Sequence, residues 1–322
     1  MLSVGNPLEW SFFAAFVIIA LLVDFFAMHK QGAHKVTIRE ATIWSIIWVA
    51  VSLLFAVWLW WDLGGLAGDA VAHTKTIEFL TGYLIEKALA VDNIFVFLLL
   101  FTYFNVQAED QKRVLMYGIL GSLVLRAGMI FAGAWLIASF HWILYVFGAF
   151  LVITGIKMWW AAGQEPDLES NFALRFLRNH MKIAPHYDGE KFFTMHDGVR
   201  MATPLLVVVL LIGIIDIVFA VDSIPAIFAI TTDPYIVLTS NVFAILGLRA
   251  MFFLLASMHD KFHLLPYGLA IVLVFIGTKM VIMDLYKIPV AASLVFTIIV
   301  LALSMILSIK FPPTPKLESD GE

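Results

Sequence analysis

Residues 86–93 read EKALAVDN and residues 216–223 read DIVFAVDS. In each phrase a carboxylate precedes an Asp by six positions, so Glu86 and Asp92 correspond to Asp216 and Asp222. Both phrases lie inside long apolar stretches. A charged side chain at a bilayer centre costs roughly 2.5 kcal/mol or more, and such groups usually mark an ion path or a proton relay. The four acids, with Asn93 and Ser223 beside them, form an all-oxygen ligand set. Such ligands suit hard or borderline cations: Mn²⁺, Mg²⁺ or Ca²⁺. The nine histidines fall in predicted loops or at helix edges, and there is no cysteine. Copper or zinc sites are therefore not expected, and disulfides and thiol redox chemistry are excluded.

Helix geometry constrains how these groups meet. Side chains six apart in a continuous helix point about 120° from each other. Glu86 shares a face with Asn93, and Asp216 with Ser223. Converging all four acids thus predicts local unwinding, or separate roles for the two acids of each helix. Pro225 is compatible with a break in the second copy, because it cannot donate to the carbonyl of Val221.

Two arginines are candidate counter-charges. ILGSLVLRAGMIF (119–131) resembles FAILGLRAMFF (243–253), which pairs Arg126 with Arg249; FLVITGIKM (150–158) resembles LVFIGTKM (273–280), which pairs Lys157 with Lys279. Each arginine either neutralises an acid of its own half permanently, or exchanges that acid with a cation or proton. Four acids against two or three basic groups leave a negative surplus, which favours a cation or proton path. Lys157 and Lys279 lie nearer helix ends, where such side chains snorkel. Met129 and Met251 are expected to be packing residues, and Asp24 structural or interfacial.

The surrounding chain dictates what positions these groups. It is 62% hydrophobic and 14% charged, with a mean hydropathy of +0.95. Apolar spans of about 20 residues recur throughout, which is the signature of transmembrane helices. We read an all-α polytopic membrane protein with about nine transmembrane helices, at 8–28, 41–61, 78–103, 114–138, 141–162, 201–231, 236–257, 265–285 and 289–310. The first span has no basic residue before it, so it reads as a retained helix and not as a cleaved leader.

Thirteen basic residues fall on one side of this arrangement (Lys30, Lys35, Arg39, Lys112, Arg113, Arg175, Arg178, Lys182, Lys191, Arg200, Lys261, Lys310 and Lys316), against Lys75 and Lys287 on the other. The excess places the first group in the cytoplasm, with the N-terminus outside and the C-terminus inside. Trp58, Trp60, Trp61, Trp135 and Trp142 at outer ends, and Trp159 and Trp160 at an inner end, read as interfacial anchors. In the long connection, NFALRFLRNHMKI (171–183) predicts a basic amphipathic helix on the inner leaflet. Asp197-Gly198 predicts the turn of a hairpin.

The matched segments make helices three to five a copy of helices six to eight. Three helices separate equivalent points, and three is odd, so the copies cross the membrane in opposite directions. The domain plan is two N-terminal helices (1–77), a first three-helix repeat (78–162), a cytoplasmic amphipathic loop (163–200), a second repeat (201–286) and a final helix with a cytoplasmic tail (287–322). Inverted-topology repeats of this kind place a transport site near the midplane.

At FLTGYLIEKALAVDNIFVF (79–97), VFAVDSIPAIFAITTDPYIVLTSN (218–241) and FAILGLRAM (243–251), the chain closely resembles the TerC family of integral membrane proteins, over nearly its whole length. The resemblance implies a multi-pass protein of the bacterial inner membrane and export of Mn²⁺. It also implies a link to alkaline and tellurium stress. Carried over by motif, it places metal ligation on Glu86, Asp92, Asp216 and Asp222, with Asn93 beside them. The expected substrate is a metal cation and the expected surroundings a lipid bilayer, with no cofactor, no nucleic acid and no enzymatic activity. The family's redox label finds no cysteine, dinucleotide loop or intramembrane histidine pair to rest on. Two alternatives remain: an organic-solute exporter of the LysE kind, and a non-transporting stress sensor or scaffold that works through residues 171–183.

Overall fold

The computed structural model describes residues 3–31, 36–140, 142–162, 172–196, 199–256 and 263–311; the side chains of Asp24 and Asp92 lie outside the described set. Eleven helices and one two-stranded sheet make up the described chain. They are α1 (Pro7–Gln31), α2 (Ile38–Ala67), α3 (Asp69–Tyr103), α4 (Ala108–Ser139), α5 (Ile143–Ala161), α6 (Phe172–His180), β1 (Phe193–His196), β2 (Val199–Ala202), α7 (Pro204–Phe228), α8 (Pro234–Leu246), α9 (Leu248–Ala256), α10 (Leu265–Val281) and α11 (Val290–Lys310).

Local chemistry sets several boundaries. Asn6 and Glu9 open α1 reciprocally: Asn6 Oδ1 accepts from Glu9 N at 3.0 Å, and Glu9 Oε2 accepts from Asn6 N at 3.2 Å, the capping-box exchange. Asp233 opens α8 by accepting from Tyr235 N at 3.0 Å, with Pro234 in the first turn, where its missing N–H does no harm. Gly68 separates α2 from α3 at φ +90° and ψ 157°, a conformation that only glycine adopts readily. The two helices therefore reach further toward each other than the sequence predicts, to Ala67 and from Asp69 instead of to 61 and from 78.

Among the described residues, five helices (α2, α4, α5, α7 and α11) are long and apolar enough to cross a membrane, and six if α8 and α9 count as one bent span. Pro7–Val23 and α10 are apolar but shorter. The longest helix, α3 at 35 residues, carries Glu86, Lys87 and Asp92 in its second half. Aliphatic and aromatic side chains cover the outer faces, among them Leu54, Val124, Trp61, Trp135 and Trp160, as a lipid environment allows.

Small residues let the central helices approach closely, the usual device of membrane helix packing. A methyl group on Gly148 of α5 would lie 2.9 Å from the carbonyl oxygen of Gly277 on α10, and one on Gly155 would lie 2.8 Å from that of Ala270. These paired positions make α5 and α10 antiparallel. Gly118 of α4 meets Ile212 of α7, and Gly82 of α3 meets Ser240 of α8.

Of the two options left open for the acidic phrases, separate roles for the acids remains. Two other expectations, the place of the break and the surroundings of α6, are corrected. The acidic phrases do not unwind: α3 and α7 are continuous through them, and α7 runs past Pro225 to Phe228. The break falls instead between α8 and α9, which bend by 43° at Gly247 within the predicted helix 236–257. The amphipathic α6 forms, but Leu174 and Leu177 on its apolar face are buried in the protein's own core and not left to face lipid. The hairpin forms as β1 paired antiparallel with β2, while its Asp197-Gly198 turn lies outside the described residues.

A candidate intramembrane cation site

Glu86 on α3, Arg126 on α4, and Asp216 and Ser223 on α7 converge in the interior, each no more than 5% exposed. Arg126 donates from Nε to Asp216 Oδ2 and from Nη2 to Asp216 Oδ1, both at 2.8 Å. This is the two-pronged guanidinium–carboxylate fork, whose geometry gives both strength and specificity. From Nη1 it also donates to Glu86 Oε1, in close contact, and to Ser223 Oγ at 3.3 Å. The second oxygen of Glu86, Oε2, is buried and has no hydrogen-bond partner among the described residues.

The pairing of Arg126 is not confined to its own half. Arg126 grips Glu86 from the first matched segment set and Asp216 from the second. Three elements supply this clasp because Gly118 and Gly133 let α7 lie against α4, bringing an acid ninety residues downstream into reach.

The remaining site residues stand elsewhere. Asn93 is buried on α3, seven residues from Glu86 on the same face. Asp222 does not join the clasp: it is partly exposed and accepts from Thr154 Oγ1 of α5 at 3.2 Å. This separation follows from the unbroken α7, in which positions six apart diverge by about 120°. Arg249 lies on α9, just past the break, and is partly buried. Among the described residues no three Asp, Glu or His side chains are grouped so as to hold a metal ion. The guanidinium lies between Glu86 and Asp216, where a cation binding both would have to sit.

The sequence counts Lys87 and Lys279 among the basic residues within or near the membrane but assigns neither a partner, and Asn241 escaped it altogether. Lys87 lies beside Glu86 and donates to the carbonyl of Ala244 at 3.1 Å. Asn241 on α8 is fully buried with both side-chain polar atoms unpartnered among the described residues; an amide so placed is destabilising by about 1–3 kcal/mol. The polar run Thr239-Ser240-Asn241 inside an apolar helix was the available signal, and only Asn241 lacks a bond to a backbone carbonyl there. Lys279 does not snorkel: it is 8% exposed and donates to Ser293 Oγ at 3.0 Å, whereas Lys157 is exposed. Met129 and Met251 pack against the core as expected.

Residues 71–314 match the integral membrane protein TerC family. The chain belongs to the TerC family. It is 54% identical over 303 residues to a Shigella flexneri protein, covering 94% of this chain and 95% of that one. The same identity over 303 residues relates it to a protein of Escherichia coli strain K12, covering 94% of each. Both relatives bear the name Alx and the provisional description of membrane-bound redox modulator. A membrane protein of Myxococcus xanthus without an assigned activity is 48% identical over 320 residues, covering 99% of this chain and 98% of that one. No solved structure matches the chain. This TerC protein is thus an all-α, multi-pass integral membrane protein with bacterial relatives. The matched range holds both acidic phrases and both arginines.

Proposed function

We propose that this TerC protein exports a divalent metal cation, Mn²⁺ above all, across the bacterial inner membrane by alternating access at the Glu86–Asp216 site. The observation that carries the reading is the buried clasp. Arg126 occupies a position between two carboxylates that arrive from different parts of the chain, so a cation competing with it would couple binding to movement of α4 against α3 and α7. With no cation bound, Arg126 would be the internal counter-charge of Glu86 and Asp216. Glu86, Asp216 and Ser223 would supply oxygen to the ion, with Asn93 nearby, while Asp92 and Asp222 would serve the path to and from it. Protonation of these carboxylates provides a route for proton coupling.

The nine-span arrangement, with its N-terminus outside and two inverted three-helix repeats, is part of this proposal. Equivalence of 155 with 277 makes 148 equivalent to 270, so the Gly148–Gly277 contact and the Gly155–Ala270 contact exchange under the repeat. Reciprocal contacts of this kind belong to a two-fold interface. The Gly82–Ser240 contact likewise maps to within one position of the Gly118–Ile212 contact. The reading is of a transporter and not of an enzyme, with no resident cofactor.

The alternative is a non-transporting protein in which the clasp is a permanent structural pairing. Mn²⁺ uptake into inside-out vesicles separates the two. The exporter reading expects uptake above that of empty vesicles, lost in Glu86→Gln and in Asp216→Asn at equal expression. Uptake no greater than in empty vesicles would transfer the weight to the structural pairing.

A further inference from the structure

The second matched segment set differs from the first in one respect that the clasp does not use. Under the repeat, Gly247 is equivalent to Val124 and Lys87 to Ile217. At Val124 the helix α4 is continuous, whereas at Gly247 its counterpart is broken and bent by 43°. The break and the lysine occur together and touch. Lys87 Nζ donates to the carbonyl of Ala244, in the last turn of α8, at 3.1 Å, and lies 5.9 Å from the centre of the Tyr83 ring. Among the described residues that carbonyl is its one hydrogen-bond partner and no carboxylate pairs with it.

Glycine at 247 is what admits the ammonium. A methyl group there would lie 2.6 Å from Lys87 Nζ and 3.1 Å from Trp48 Cβ. The C-terminal end of a helix carries the negative end of its dipole and carbonyls without an intrahelical partner. In discontinuous membrane helices such ends coordinate monovalent cations. A compact ammonium satisfies the same requirement.

We propose that Lys87 is a built-in monovalent cation: its ammonium fills the cation-binding end of the broken helix α8 and fixes the joint from which α9 carries Arg249. Arg249 follows the break by two residues, so the bend held at Ala244 decides where its guanidinium starts. Lys87 is a positioning residue in this account. Among the described residues its ammonium pairs with neither Glu86 nor Asp216, and its role does not depend on which ion is exported.

The test uses full-length purified protein in lipid nanodiscs and needs no transport. Amide hydrogen exchange of residues 244–251 is compared in wild type, Lys87→Arg and Lys87→Met, in choline chloride and in sodium chloride of equal ionic strength. Lys87→Met is expected to exchange there at least about tenfold faster than wild type in choline, a loss of about 1.4 kcal/mol in opening free energy. Sodium should recover part of that protection in Lys87→Met and change neither wild type nor Lys87→Arg. Equal exchange in Lys87→Met and wild type would overturn the proposal, as would a loss that sodium fails to reverse. A loss spread over all helices reports general destabilisation and equally counts against it. Because export is not the readout, absence of Mn²⁺ uptake would leave this result standing on its own.

Discussion

Replacing Arg126 with Met removes the cation from between two carboxylates that are each no more than 5% exposed. Three hydrogen bonds to charged acceptors disappear with it, two on Asp216 and one on Glu86. Breaking a buried ion pair by deleting one partner typically costs about 3–5 kcal/mol, because the remaining charge is left uncompensated. At 1.4 kcal/mol per decade this is about two to three and a half decades in the unfolding constant. Neutralising the acids as well, in Arg126→Met/Glu86→Gln/Asp216→Asn, should recover most of the loss, since exchanging a whole buried charged group for neutral residues is often nearly free. The assay is equilibrium unfolding of the purified protein by SDS in mixed micelles. Added Mn²⁺ should also restore Arg126→Met, by about 2.7 kcal/mol at a hundred times its dissociation constant. A single variant within about 1 kcal/mol of wild type would refute the reasoning, since that is the range of exposed ion pairs. A triple variant no more stable than the single one would refute it equally.

Asp222 is partly exposed and, among the described residues, accepts one bond, from Thr154, so Asp222→Asn should change stability by less than about 1.5 kcal/mol in the same unfolding assay. It should nevertheless reduce Mn²⁺ uptake; unchanged uptake would make Asp222 a structural residue. Gly148→Leu and Gly277→Leu force side chains against facing backbone oxygens and should each destabilise by about 1–3 kcal/mol through overpacking. Gly121→Ala, with nothing within 4 Å of the added methyl, should be neutral or stabilising by up to about 1 kcal/mol. In the cytoplasmic connection, a hydrogen bond from Thr194 and the neighbouring Lys191 hold the Asp188 carboxyl below its ordinary value of 3.8. Its contribution is therefore present at neutral pH and lost as pH falls through the lowered value. Hydrogen exchange in β1 should be faster in Asp188→Asn at pH 7, and the difference should close in strong acid; a difference that persists there would contradict the sign.

The chemistry of the site was legible and its partnerships were not. A carboxylate inside an apolar stretch announces itself, so Glu86, Asp216 and Arg126 could be picked out one by one. Which acids Arg126 would grip depended on α4 lying against α7, a contact set by Gly118 and Gly133 across about a hundred residues. The divergence of Asp216 from Asp222 followed directly from helix periodicity, once Pro225 was seen to be absorbed near the end of α7. The break at Gly247 was hidden because LGLRA reads as ordinary apolar helix, where a single glycine costs only about 1 kcal/mol. The group that meets the break, a lysine donating to the Ala244 carbonyl, comes from 157 residues away in the chain. Likewise the apolar face of α6 was visible in sequence, but whether lipid or α7 would cover it was a matter of tertiary packing.

The central claim is that Arg126 and the transported cation compete for the same two carboxylates. Mn²⁺ binding to purified wild type and Arg126→Met, followed by electron paramagnetic resonance in detergent, tests it most directly. If the guanidinium must leave before the ion enters, only a fraction of wild type is competent to bind, and removing it should tighten Mn²⁺ binding by at least about tenfold. Binding in Arg126→Met that is equal to or weaker than wild type would contradict the account.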